Sequence, residues 1–252
     1  MARTALLLAA ALLIACSAEQ AHHGPAGDEG PRLPALSKSE VNDRAPVVLD
    51  AHEGVLLVTA RSALRRQLEV ITYRVRDAYG DVIAGGAAEA AQGGALEHEL
   101  ALALPAGKSL SLELSSTTRG AEPSICTAEV APIDIEAGSQ ASYQVFLWRC
   151  QGAPGADGPE PECYWLADWF GVTRTRAAVG DRIGLRAAGH DESGAPARVQ
   201  WSTPSSAVGR FDDEHAAATS FHCAAESVAL PLGLSLSDGR CKKQLSELVA
   251  CQ

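Results

Sequence analysis

Several residue types are scarce in this chain. It has one Met and few Lys, and Phe, Tyr and Trp together make up 5% of residues. No apolar run approaches the roughly 20 residues that a helix needs to cross the hydrocarbon layer, so no transmembrane helix is expected. Basic charge is also short: 21 Lys and Arg face 31 Asp and Glu, for a formal net charge of -10 without a basic stripe. That balance excludes the electrostatic footprint of a nucleic-acid surface or of one that grips an anionic membrane. Catalytic signatures are missing too. There is no Gly-x-Ser-x-Gly elbow, His-Glu-x-x-His, Ser-x-x-Lys or glycine-rich dinucleotide loop. Gly107-Lys108-Ser109 ends like a phosphate loop, but Leu102 stands where that loop needs its first glycine, so the stretch reads as a turn. The chain is expected to be non-enzymatic, with no catalytic residues and no cofactor.

What is present is a folding composition: 252 residues with 46% hydrophobic content supply material for one or two packed domains. The first residues differ from the rest. Arg3 gives a positive start, and Ala5 to Ala15 form an eleven-residue apolar run. That is the length of a signal-peptide h-region. The seven cysteines are an odd number, and an exported chain meets an oxidising compartment where free thiols are uncommon. With Cys16 set aside, Cys126, Cys150, Cys163, Cys223, Cys241 and Cys251 form an even set within the parts that look folded.

Leu13-Ile14-Ala15-Cys16 resembles the lipobox of bacterial lipoproteins. The resemblance implies a signal peptide over 1–15, cleavage just before Cys16, and acylation of that thiol and of the new amino terminus. Each buried methylene contributes about 0.8 kcal/mol, so two or three acyl chains would hold the protein essentially permanently on a membrane. Ser17 rather than Asp after the cysteine implies, by resemblance to enterobacterial sorting, the outer membrane. Ordinary signal cleavage after Ser17 or Ala18 is the alternative, and it would release a soluble protein.

Residues 16–46 mix Gly, Pro, Ser and charge with no apolar period and read as a flexible tether. Its reach is about 30 Å as a relaxed coil and at most roughly 100 Å stretched. His22 and His23 in it lack the further ligands a metal needs. From 47 to 150 the pattern is strand-like. "LEVITYRV" (68–75) alternates Leu68, Val70, Thr72 and Arg74 against Glu69, Ile71, Tyr73 and Val75. "ALEHELALAL" (95–104) and "SLSLELS" (109–115) place leucines at every second position. Period two between Gly- and Pro-marked turns predicts an antiparallel β-sandwich. Cys126 and Cys150 each lie twelve residues from Gly138, so a hairpin turning at Glu136-Ala137-Gly138-Ser139 would bring them together at its open end. Residues 151–162, rich in Gly and Pro, read as a linker.

Residues 163–252 form a second unit. Val179-Gly180-Asp181 leading into a strand, Trp201 in a later one, and Ser237-Asp238-Gly239 after a long alternating one resemble bacterial immunoglobulin-like domains of the polycystic-kidney-disease-repeat type. Val228, Leu230, Leu232, Leu234 and Leu236 would form one face of the central F strand, with Trp201 packed across from it. The strand order this resemblance implies puts Cys163 and Cys241 at one pole and Cys223 and Cys251 at the other. It thus implies those two pairs. Joining Cys241 to Cys251 would span about 33 Å of extended strand. The overall expectation is all-β, two antiparallel sandwiches behind a signal peptide and tether.

Three groups invite a functional reading. Asp212, Asp213 and Glu214, beside His215, offer oxygen ligands for Ca²⁺, against the plainer reading of a solvated loop. His190-Asp191-Glu192 is a similar charged turn. Tyr164, Trp165, Trp169 and Phe170 gather at the junction; Tyr164, Trp165 and Trp169 are the candidate carbohydrate contacts, against the plainer reading of core or junction packing. The expected function is a membrane-anchored cell-envelope lipoprotein whose non-catalytic β-sandwich modules serve binding, adhesion or spacing, with an envelope protein or a polysaccharide, not nucleic acid, as partner. The alternative is a secreted accessory or hydrolytic exoprotein, using residues such as Asp213 and His215.

Overall fold

The structure is a computed structural model, and it describes residues 51–89, 95–119, 123–151 and 163–252. The expected signal peptide (1–15), Cys16, the tether to residue 46 and residues 47–50 lie outside the described residues. So does the expected linker 151–162, apart from Gln151.

The described residues are all-β. The first half holds β1 (Glu53–Ser62), β2 (Leu68–Arg76), β3 (Val82–Glu89), β4 (Glu97–Pro105), β5 (Gly107–Thr118), β6 (Ile125–Ile135), β7 (Gln140–Leu147) and β8 (Arg149–Gln151). After a 3₁₀ turn at Tyr164–Leu166 come β9 (Trp169–Val172), β10 (Arg176–Ala177), β11 (Arg182–Ala188), β12 (Arg198–Ser202), β13 (Gly209–Phe211), β14 (Ala218–Cys223), β15 (Ser227–Ser237) and β16 (Lys242–Cys251). They make a five-stranded sheet β3-β2-β5-β6-β8, a four-stranded sheet β10-β16-β15-β12, and a seven-stranded sheet β13-β14-β11-β9-β7-β1-β4. In the second half, β13-β14-β11-β9 opposite β12-β15-β16, with β10 parallel to β16, is the strand order of an immunoglobulin-type sandwich.

The seven-stranded sheet runs through both halves because β7 pairs antiparallel with β9, Tyr143 opposite Gly171 and Val145 opposite Trp169. Successive side chains of a strand face opposite sides, and here each side meets a different core. Tyr143, Val145 and Leu147 of β7, with Trp169 of β9, pack against β2, β5 and β6. Phe146, Phe170 and Val172 pack with Trp201, Phe221 and the leucines of β15. The five- and four-stranded sheets therefore cover opposite faces of the central sheet where β7 and β9 meet. Covered on both faces, β7 (QASYQVFL) is buried from Ala141 to Leu147 although Gln140, Ser142 and Gln144 alternate with apolar residues in its sequence. The polar residues on its second face find partners in β16: Ser142 Oγ donates to Glu247 Oε1 at 3.0 Å, and Gln144 Nε2 donates to Ser246 O at 2.8 Å and to Glu247 Oε2 at 3.0 Å. At the seam Tyr143 lies across Gly171, where a Cβ would sit 2.3 Å from the ring.

Three local readings change. The hairpin about Gly138 splits: Gly138 does turn the chain with φ 69°, but β7 crosses to the seven-stranded sheet, and only β8 returns to pair with β6. Cys126 still faces Cys150 in that register. In β2 a bulge between Leu68 and Val70 sets Leu68 into the core with Ile71, Tyr73 and Val75 and leaves Val70 outside it. In β15 a bulge between Ser227 and Leu230 takes Val228 out of the leucine face, to 89% exposure, while Leu230, Leu232, Leu234 and Leu236 are buried.

Disulfides join Cys126 to Cys150, Cys163 to Cys241 and Cys223 to Cys251. Three such bonds mark an exported protein, since reducing compartments keep thiols open. Among the described residues no helix is long and apolar enough to cross a membrane.

Candidate functional site

Where the chain leaves β7 for β8, Trp148 and Arg149 occupy the crossover between two sheets, and the Cys126–Cys150 bond holds the next residue in place. The 3₁₀ turn presents Tyr164 and Trp165; it is fixed by the Cys163–Cys241 bond at its start and by buried Leu166 at its end. Asp168 precedes β9, where its backbone N–H donates to Ala188 O at 3.0 Å and its carbonyl accepts from Phe146 N–H at 2.8 Å. His190 follows β11 and leads into a tight turn whose carboxylate, Asp191 Oδ1, accepts from Ser193 N–H (2.8 Å), Ser193 Oγ (2.6 Å) and Ala195 N–H (2.8 Å). The Ser193 hydroxyl bond and the backbone bonds hold the Asp191 carboxyl below its ordinary range.

These pieces enclose a cleft of about 610 Å³. Asp168 is its hub: Oδ1 accepts from Trp148 Nε1–H at 2.9 Å, and Oδ2 lies 2.9 Å from His190 Nδ1. That contact orients the imidazole, placing its hydrogen on Nδ1. The Trp148 ring lies 4.8 Å from the His190 ring and 6.3 Å from Tyr164, the Arg149 guanidinium sits 5.0 Å over it, and Tyr164 meets Trp165 edge-on at 5.0 Å. Trp148, Tyr164, Trp165, Asp168 and His190 are each half-buried. Among the described residues the Nε1–H of Trp165 is buried without a hydrogen-bond partner.

The arrangement suits binding. It combines ring faces and three carboxylates (Asp168, Asp191 and Glu192) around one fixed imidazole. An acyl-transfer centre needs a hydroxyl or thiol bonded to the histidine, whereas Ser193, which shares the cleft, spends its hydroxyl on Asp191.

The residues expected from sequence part company here. Tyr164 and Trp165 line the cleft, but Trp169 does not: at 6% exposure it packs in the first core against Tyr143, ring centroids 5.9 Å apart. It faces inward because strand alternation in β9 sends Phe170 to one core and Trp169 to the other, so it offers no face to a ligand. The Ca²⁺ candidate also disperses. Asp212 Oδ1 bonds His222 Nε2 at 2.6 Å, and Asp213 Oδ1 accepts from the backbone N–H of His215. Among the described residues no three His, Cys, Asp or Glu side chains converge as metal ligands. Asp212 and Asp213 are each committed to a partner of their own, so sequence adjacency did not become coordination. His190 and Asp191 move from a charged turn to the wall of the cleft. Trp148, Arg149 and Asp168 were missed; the one signal was an aromatic and a cation directly beside Cys150, immediately after an apolar strand.

No protein-family model matches the chain, and no curated protein matches it in sequence. Among solved structures it is similar to the crystal structure of murine CEACAM1b, at 10% identity and a TM-score of 0.24, over 79% of this chain and 98% of that one. A likeness of that size adds nothing to what the strand order itself shows.

Proposed function

We propose that the chain is a lipoprotein of a bacterial cell envelope, anchored in the outer membrane through Cys16 and set off from it by the tether. Its two sandwich units, the second of the polycystic-kidney-disease-repeat type, act without catalysis to hold a saccharide of the envelope or its surroundings in the Trp148–Trp165 cleft. The observation that carries the reading is the cleft itself, in which half-exposed Trp148, Tyr164 and Trp165 surround the Asp168–His190 pair. Aromatic faces pack on the C–H face of a sugar ring, and carboxylates accept from its hydroxyls.

A glycan array probed with the full chain tests this. Capture of at least one saccharide class is expected, and it should be lost in Trp148→Ala and Trp165→Ala. An array without capture, or capture indifferent to both substitutions, would refute the saccharide reading. Anchoring is tested separately by membrane fractionation and intact mass: a mature chain that begins at Ser17 or later would defeat it. The Asp168–His190 contact favours one second reading, a hydrolytic exoprotein; turnover of a captured glycan that disappears in His190→Ala would establish it in place of simple binding.

A further inference from the structure

We propose that the cleft selects an amino sugar, a hexosamine whose amino group is free and charged; the proposal rests on the saccharide reading above. Two observations meet in such a ligand. The rings of Trp148, Tyr164 and Trp165 are half-buried, so each keeps surface for the apolar side of a sugar. Among the described residues the lining carries Asp168, Asp191 and Glu192 against Arg149, a formal excess of two negative charges with His190 counted as neutral.

Those carboxylates differ in what they can give. Asp168 is occupied by Trp148 and His190. Asp191 commits Oδ1 to its turn. Among the described residues Glu192 meets Arg240, at 3.7 Å and with both side chains well exposed, a pairing of little strength that an ammonium displaces at small cost. The cation of the ligand therefore belongs at the Asp191–Glu192 lip, and its ring belongs on the aromatic wall. Arg149 already illustrates the preference, resting over Trp148 and 3.9 Å from Asp168. N-acetylation removes the charge, and a uronic acid reverses it.

The test titrates the full chain by calorimetry at low ionic strength with three β-1,4-linked tetrasaccharides: of glucosamine, of N-acetylglucosamine and of glucose. The glucosamine tetramer is expected to bind at least about tenfold more tightly than the other two. That preference should shrink to about threefold or less in Asp191→Asn/Glu192→Gln, in which an amide oxygen can take the place of the carboxylate oxygen that closes the turn, while the near-ultraviolet circular dichroism of the tryptophans stays unchanged and reports an intact cleft. Trp165→Ala should abolish binding of all three. Equal affinity for the three tetramers would overturn the charge selectivity and leave the saccharide reading standing. No binding of any would sink both. A preference that survives the double substitution, or binding that survives Trp165→Ala, would trace the attraction to the protein's overall negative charge and overturn the proposal.

Discussion

Gly171→Ala tests the seam on which the two halves of the chain depend. A Cβ on Gly171 would lie 2.3 Å from Cδ1, 2.5 Å from Cγ and 2.7 Å from Cε1 of Tyr143, so the ring must shift by about an ångström. It has nowhere to go: Tyr143 is fully buried in the first core, with Trp169 beside it. Overpacking of this kind costs about 1–3 kcal/mol, and the entropy that Ala removes from the unfolded chain offsets about 0.5 kcal/mol. A net loss of about 1.5 kcal/mol, or about tenfold in the folding equilibrium, is expected from urea unfolding. Because β7 and β9 serve both cores, native-state hydrogen exchange should quicken at Val58 in the first and at Leu185 in the second. In a Tyr143→Leu background the cost of Gly171→Ala should fall below about 0.5 kcal/mol, a coupling that a double-mutant cycle resolves. A neutral or stabilising Gly171→Ala, or a cost that stays the same in the Tyr143→Leu background, would refute the packing explanation.

Other substitutions probe other parts of the fold. Among the described residues the Tyr143 hydroxyl is buried without a partner, and burial raises its pKa; Tyr143→Phe should therefore stabilise the protein by about 1 kcal/mol in the same unfolding assay, and a loss of that size would reveal a hidden partner. Burial first, and Arg61 second, hold the Lys243 ammonium at a pKa of about 8 against an ordinary 10.5. The folded state then binds fewer protons than the unfolded one above pH 8, so stability should rise between about pH 8 and 9.5, by up to about 2 kcal/mol. Lys243→Met should flatten that rise; a slope that persists in it would assign the effect to another group. The Cys163–Cys241 bond spans 78 residues, against 28 for Cys223–Cys251. Chain entropy alone makes its loss by double Ala substitution cost about 4.5 kcal/mol, near 1 kcal/mol more than the other, and thermal unfolding of the two variants should rank them in that order.

Much of this was legible along the chain. Leucines at alternate positions in β5 and β15 specify strands with one buried face, because a side-chain period of two admits no other regular element. The immunoglobulin-type strand order then brings Cys163 to Cys241 and Cys223 to Cys251, the pairs expected from the sequence, since strand order fixes which ends share a pole. The Cys126–Cys150 register was also legible, although the chain between them takes a different path, leaving one sheet and returning to it. Bulges at Val70 and Val228 were not legible, because one inserted residue reverses a strand's faces without altering its composition. Nor was the burial of Trp169, or the gathering of Trp148, Asp168 and His190, which lie 20 and 22 residues apart.

The sequence alone determined the local matters: all-β structure, the alternation of strands and turns, and which cysteines lie near which strand ends. These follow from each residue's own preferences and from spacing. Only the tertiary structure decided that β7 and β9 join the halves in one sheet, and that a half-buried cleft forms at the crossover beside it. Both depend on what covers each face of a strand. The polar face of β7, Gln140, Ser142 and Gln144, reads as a solvent face along the chain, and only the packed chain buries Ser142 and Gln144 against β16.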